Sequence, residues 1–308
     1  MVDTIIAIPL FGFANRLKFL ASIEIMAKKL KIKYIHVLWK NCDDCGINYE
    51  DVFKRIPGIE NISQLPPKDD MTFYGQIHLK DVYNYILTDK SLKDTILITG
   101  GHENMPHDMK EHIFLKNKSK FYKSIVWNND IQNKLLMFND FPKIGIHYRH
   151  PIKASDSQDI NENSLSNFSV NSPFSEFDKY IKKFKGICFF TSNSIYHKKY
   201  IQEHFANKVK VIHIDDDCNR SSKQSMTNSI IEFILLSRCD IVIGTYFSSF
   251  SDEPTYFNLV PKILLLEQNI QRNDKHFIEG YHSGIKPIRF ENYLISNMDV
   301  KTVLSVLF

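Results

Sequence analysis

Three polar segments in this chain each follow a run of β-branched and aromatic residues, and their residue types could do chemistry. Ile144–Pro151 reads IGIHYRHP. A strand there ends in His147, Tyr148, Arg149 and His150, and Pro151 stops it. Period-two alternation puts His147 and Arg149 on one face and Tyr148 on the other. A guanidinium is always charged and binds a diphosphate in a bidentate fashion, so Arg149 at a strand's carboxyl end suits an anionic ligand. Ser225–Ser251 reads SMTNSIIEFILLSRCDIVIGTYFSSFS: an apolar helix, a short interior strand, then Ser248, Ser249, Phe250 and Ser251. Hydroxyls and free backbone N–H groups in such a turn can hold a phosphate without a metal. Serine caps on an ordinary strand-to-helix turn would explain the same residues. In Cys188–Phe205, a strand ends in Thr191, Ser192, Asn193 and Ser194 before a helix. That turn could meet a base or ribose, or simply cap the helix.

A fourth segment, Leu10–Leu17 (LFGFANRL), also follows a strand and opens a helix. Gly12 would permit a tight turn or a close backbone approach, and Asn15 would cap the helix or touch a ligand. With one glycine it is no dinucleotide fingerprint, and a structural turn is the better reading.

The elements that must position these segments alternate along the chain. Strands are expected at Thr4–Pro9, Lys33–Trp39 and Ile96–Thr99, with helices at Asn15–Leu30 and Phe121–Leu136. A second set brings strands at Lys143–His147, Gly186–Phe190, Val209–Ile214, Asp240–Gly244 and Lys262–Leu266, with a buried helix at Ser225–Ser237. Alternation of this kind argues parallel sheets with right-handed crossovers. Two sets imply an α/β protein of two Rossmann-like lobes facing a cleft, residues 1–140 and 141–308. In open sheets of this type ligands sit outside the strands' carboxyl ends. Residues 154–175 are rich in Ser, Asn and Asp and read as an insertion or a mobile loop.

With 308 residues the chain can bury a large core without staples. Its 39 basic and 35 acidic residues are too balanced and scattered for a nucleic-acid binder. They do suit an anionic small ligand. No run is long and apolar enough for a membrane span. The five cysteines include a lone CxxC, Cys42 and Cys45, with no second pair and no histidine at finger spacing. Zinc is therefore not expected, and a redox role is weakly supported. Cys188 and Cys239 read as core residues. Asp215-Asp216-Asp217 reads as a solvated loop rather than a metal site. Walker and Gly-Xaa-Ser-Xaa-Gly motifs are absent from the sequence, which disfavours a P-loop kinase and a hydrolase elbow. The usage of cysteine and the strand-like beginning point to a reduced, cytoplasmic protein, of bacterial or viral type.

Taken together, these segments resemble the fucosyltransferase-like glycosyltransferases of the two-lobed GT-B fold: nodulation and α1,6-type fucosyltransferases and protein O-fucosyltransferases. GFANRL resembles the family's Gly-x-Gly-Asn-x-Leu turn, with Ala14 where glycine is usual. VLWKNCDDCGINYEDVF, Val37 to Phe53, resembles its Trp- and Cys-bearing segment, which implies that Cys45 is structural. GIHYRH resembles the His-x-Arg motif that opens the donor lobe, with His150 where many members have a second Arg. IIEFILLSRCDIVIGTYFSSFS resembles the donor-lobe signature. The turn at Ser192 and Asn193 lacks the acidic residue with which some members read guanine, so a uracil or thymine donor stays open.

The resemblance implies an inverting, metal-independent glycosyltransferase with no cofactor besides its nucleotide-sugar donor, most readily GDP-fucose. Arg149 and the Ser248–Phe250 groups would stabilise charge on the departing diphosphate. Gly12, Asn15, His147, Ser192 and Asn193 would complete donor binding. Lys153 and Asp156 follow Arg149 at spacings like a Lys and an acid in the α1,6-type members, which makes them the catalytic pair to test for proton transfer. The acceptor, a glycan or other hydroxyl compound, would lie on the first lobe. Two alternatives remain at this level: a GT-B transferase with another donor, such as UDP-xylose or a rhamnose nucleotide, and a non-catalytic nucleotide- or sugar-binding module.

Overall fold

The computed structural model describes residues 2–74, 79–102, 105–150, 172–245, 248–265, 288–290 and 293–296. The chain divides into two compact units, Met1–Met137 with Asn219–Ile230, and Phe138–Cys218 with Ile231–Phe308. The stretch Asn219–Ile230 thus belongs to the first unit, although it lies within the segment 141–308 that the sequence assigned to one lobe. Backbone and ion-pair contacts hold it there. The Gly46 N–H donates to Arg220 O at 2.7 Å, Arg220 pairs with Asp44 at 3.3 Å, and Lys223 pairs with Asp51 at 2.8 Å.

The first unit carries strands β1 (Thr4–Pro9), β2 (Tyr34–Val37), β3 (Phe53–Arg55), β4 (Glu60–Asn61), β5 (Met71–Tyr74), β6 (Thr95–Gly100) and β7 (Val126–Trp127). Five of them form one sheet in the order β4-β2-β1-β6-β5, with every pairing parallel. Its helices are α1 (Phe13–Leu30), α2 (Tyr49–Val52), α3 (Leu79–Thr88), α4 (Glu111–Ser124) and α5 (Asn129–Leu136). In α1 the apolar stripe Leu17, Leu20, Ile23 and Ala27 is buried, as its spacing requires. Lys28 and Lys29 lie in its last turn, where cations offset the helix dipole, and Lys31 closes it in the left-handed conformation at φ 58°.

The expected helix Phe121–Leu136 is broken in two. Ile125-Val126-Trp127 leaves the helix and β7 pairs antiparallel with β3, where Trp127 stacks on Phe53 at 5.7 Å. An aromatic, β-branched triplet gains more from that cross-strand contact than from helix propensity. Asn128 then caps α5 by accepting from the Asp130 N–H at 2.8 Å.

The second unit carries β8 (Ile144–Tyr148), β9 (Cys188–Ser192), β10 (Val209–Val211), β11 (Ile241–Gly244), β12 (Lys262–Leu265), β13 (Ile288–Phe290) and β14 (Tyr293–Ser296), in the order β10-β9-β8-β11-β12-β14-β13. The first five are parallel; β14 and β13 add an antiparallel edge that the sequence did not announce. Every residue of β8, β9, β11 and β12 is buried, as expected of parallel strands covered on both faces. The covering helices include α6 (Phe174–Lys183), α7 (Ile195–Phe205) and α9 (Ser249–Asn258). Helix α8 (Lys223–Leu236) is buried through Ile230, Ile231, Phe233, Leu235 and Leu236, so its apolar character on all sides is explained. Cys188 and Cys239 lie in the core.

Candidate functional site

Counted in chain order, the parallel strands of the second unit run 3-2-1-4-5 across the sheet. The order reverses between β8 and β11, so the ligand crevice of an open sheet falls at their carboxyl ends. The segment after β8 holds Arg149; the segment after β11 holds Thr245 and leads to Ser248. The structure therefore brings two of the sequence-flagged segments to one place.

Thr245 joins them. Its hydroxyl, fully buried, accepts the Arg149 N–H at 2.7 Å and donates to His147 O at 3.2 Å. The backbone of Arg149 is thus fixed, while its half-buried guanidinium has no hydrogen-bond or ion-pair partner among the described residues. Ser248 is the N-cap of α9, but its side chain makes no capping hydrogen bond. The Ser251 and Asp252 N–H groups close onto Ser248 O, both at 3.0 Å. Those of Ser249 and Phe250 occupy the first turn, where a helix supplies no acceptor. Such a start attracts anions.

Asp252 in that first turn would repel an anion, and Lys262 answers it. The Lys262 ammonium, buried on β12, pairs with Asp252 and donates to Thr245 O at 3.2 Å. Burial lowers the Lys262 pKa while Asp252 and Glu253 oppose that shift.

His147 is buried with its ring 4.9 Å from that of Phe250. Burial first, then the positive charges of Lys262 and Lys198, push its pKa down to about 3. It is a neutral imidazole at ordinary pH, with Nδ1 buried and without a hydrogen-bond partner. Tyr148 packs instead against Phe177 and His197, as strand alternation requires. Burial and the neighbouring His150 push His197 down to about 4.

The turn after β9 lies beside β8. The Asn193 amide brackets His150, accepting its N–H at 2.7 Å and donating to its carbonyl at 3.0 Å. Ser192 Oγ accepts the Ser194 N–H at 3.2 Å. Both side chains are engaged in fixing the turn. Under it lies a charged cluster that sequence reasoning missed. Glu232 on α8 accepts from Lys198 Nζ at 2.6 Å and from Thr191 Oγ1, and His213 Nδ1 lies 3.2 Å from it. Lys198 and Glu232 are each about as buried as a core leucine, at 2% exposure. The only sequence signal for Glu232 was a lone acid in an otherwise apolar helix.

In the first unit, Gly12 precedes α1 at φ −68°, and a Cβ there would meet only Asp44 O at 3.7 Å. No tight approach requires a glycine. In this turn the positive φ falls on Phe11, at 65°, and a close approach to backbone falls at Gly46, whose Cβ would lie 2.1 Å from Ser221 O. Asn15 is half-buried within the first turn of α1 and does not cap it. Arg16, which the sequence left unmarked, is 1% exposed and donates to Phe11 O, Lys40 O and Cys42 Sγ. Lys153 and Asp156 lie outside the described residues, as do residues 154–171 of the polar stretch. Among the described residues, no group of three metal-ligating side chains occurs, and no helix is long and apolar enough to cross a membrane.

Comparison with solved structures identifies the class of fold. A NodZ α1,6-fucosyltransferase soaked with GDP-fucose matches at 15% identity and a TM-score of 0.57, over 88% of this chain and 98% of that one. An Arabidopsis thaliana FUT1 variant in complex with GDP matches at 12% identity and a TM-score of 0.54, over 86% of this chain and 70% of that one. POFUT1 in complex with GDP matches at 12% identity and a TM-score of 0.50, over 84% and 96%. No protein-family model and no curated protein sequence matches. The chain has a fucosyltransferase-like fold of the GT-B type.

Proposed function

We propose that the protein is an inverting glycosyltransferase that moves fucose from GDP-fucose to a glycan or other hydroxyl acceptor without a metal ion. The observation that carries this reading is the guanidinium of Arg149, without a hydrogen-bond or ion-pair partner among the described residues, at the β8/β11 reversal, in the same crevice as the open first turn of α9. A leaving diphosphate needs a fixed positive charge and free N–H donors, and these two features supply them. GDP or GDP-fucose in the solved relatives supports the choice of donor.

In this reading residues 141–308 hold the donor and residues 1–140 the acceptor. Arg149 and the Ser248, Ser249 and Phe250 groups stabilise charge on the β-phosphate as the sugar–oxygen bond breaks. His147 supports the crevice as a neutral ring, and Ser192 and Asn193 shape its β9 side. Gly12 and Asn15, at the β1–α1 turn of the first unit, are the donor contacts to test by substitution there. Lys153 and Asp156 handle the acceptor proton.

Thermal shift with GDP, UDP, dTDP and CMP, with magnesium or with chelator, tests the donor. A nucleotide at 100 times its dissociation constant adds about 2.7 kcal/mol. The expected result is a GDP-selective shift unchanged by chelator. A UDP- or dTDP-selective shift would replace the donor, and a strict magnesium requirement would overturn the metal-free mechanism. Arg149→Ala should abolish transfer, at a cost of about 3 kcal/mol or more in barrier, while leaving the fold intact. Activity within a few-fold of the parent would sink the assignment.

A further inference from the structure

We propose that Cys42 and Cys45 form a dithiol site that exchanges with small-molecule disulfides, with Arg16 as the cation that promotes the exchange. The proposal is independent of sugar transfer and rests on three observations in the first unit.

The two cysteines face each other across a tight antiparallel bridge. The Cys42 N–H donates to Cys45 O at 3.2 Å and the Cys45 N–H to Cys42 O at 2.9 Å. A pair exchanging both hydrogen bonds has Cα atoms about 5.5 Å apart, within the disulfide range of about 4.4–6.8 Å. Directly opposed residues also project to the same face. Asp44 in the connecting turn is held by Arg220.

Second, Cys42 is exposed while Cys45 is fully buried. An incoming disulfide can reach only the first. Cys45 is therefore reached only through Cys42, and burial pushes its thiol up to about 11.

Third, Arg16 is a buried cation with no carboxylate partner among the described residues. Nε donates to Phe11 O at 2.8 Å, Nη1 to Lys40 O at 2.7 Å and Nη2 to Cys42 Sγ at 3.0 Å, and the guanidinium lies 4.7 Å from the centre of the Trp39 ring. Buried charges call for a counter-charge. Among these contacts, the sulfur alone can take on negative charge. Arg16 therefore stabilises the charge that sulfur carries as it enters or leaves a disulfide.

The reaction balances without a further reagent. Cys42 sulfur attacks one sulfur of the small disulfide, the S–S bond breaks, and one thiolate leaves. Cys45 sulfur attacks Cys42 of the mixed disulfide and expels the second thiolate. Two protein thiols are oxidised, one disulfide is reduced to two thiols, and the two protein protons pass to the leaving thiolates.

The probe is glutathione. The full chain is equilibrated at a series of oxidised-to-reduced ratios, acid-quenched, denatured, alkylated and peptide-mapped. The expected product is a Cys42–Cys45 peptide lighter by two hydrogens, with Cys188, Cys218 and Cys239 alkylated. Cys45→Ser should trap a glutathione adduct on Cys42, and Arg16→Lys should slow the exchange by about tenfold. The proposal is overturned if both thiols alkylate fully at the most oxidising ratio, or if the Cys45→Ser adduct spreads evenly over the cysteines. An unchanged rate in a folded Arg16→Lys protein removes the role of Arg16. If that variant does not fold, the Cys45→Ser trap, which keeps Arg16, still decides the cysteine chemistry.

Discussion

Replacing Thr245 with valine removes one oxygen at nearly constant volume, which makes it a clean probe of what holds Arg149. The side chain is fully buried, so no cavity opens and no water replaces the lost group. Two partners are affected: the Arg149 N–H, 2.7 Å from the hydroxyl, and His147 O, 3.2 Å away. An under-satisfied carbonyl is tolerated more readily than an orphaned N–H, so the main cost is one orphaned N–H, about 1–3 kcal/mol of stability. The effect on transfer should be larger in kind, because the freed backbone carries the guanidinium with it. A displacement of about 1 Å in such a group costs on the order of 100-fold in rate. Transfer rates would be measured well below the melting point of each variant, with GDP affinity determined in parallel. Thr245→Ser keeps the hydroxyl and should stay within about threefold of the parent, less than about 0.7 kcal/mol of barrier. If Thr245→Val also stays within threefold, or if Thr245→Ser is equally damaged, the hydroxyl does not position Arg149.

Three further outcomes follow from the buried polar groups and the backbone. His147 has a folded pKa of about 3 against about 6.5 for a free imidazole, so the unfolded chain binds the extra proton between these limits. The stability it contributes is complete above about pH 6.5 and is lost as pH falls toward about 3. Between pH 6.5 and 4.5 that amounts to roughly 2–3 kcal/mol, read as a shift in urea midpoint, and His147→Asn should flatten the slope by that share. An unchanged slope would mean that His147 is not buried neutral. Lys198→Met strips a buried carboxylate of its cation and should cost about 3–5 kcal/mol, much of it recovered in the double variant with Glu232→Leu. Additive losses in a denaturation cycle would show that the two do not act as a pair. Gly46→Ala should cost about 3 kcal/mol or more because the Cβ would overlap Ser221 backbone, whereas Gly12→Ala should cost less than about 1 kcal/mol. Equal melting points for the two would contradict that geometry.

The alternation of apolar runs with amphipathic ones was enough to expect parallel sheets, and the strands fall close to where the β-branched clusters predicted them. The same reading placed Arg149 correctly at a strand's end, because a polar run followed by proline terminates a buried strand wherever it packs. It failed at Phe121–Leu136, where helix periodicity competed with a pairing to β3 that lies far away in the chain. At Gly12 it offered a tight turn or a close approach, but only the neighbour that a Cβ would strike shows where a glycine is needed: a Cβ at Gly12 would have room, whereas one at Gly46 would overlap the Ser221 backbone.

Local pattern therefore determined the class of fold, the strand ends and the arginine that follows β8. Tertiary structure alone decided which strand ends flank the reversal of strand order. It also decided that Thr245 holds Arg149 from 96 positions away, that Lys262 cancels the Asp252 charge at the start of α9, and that Arg16 is buried against a cysteine. Each of these joins residues whose spacing in the chain carries no period. Hydrophobic periodicity reports which face of an element is buried, but not which polar group of a distant element will be waiting there.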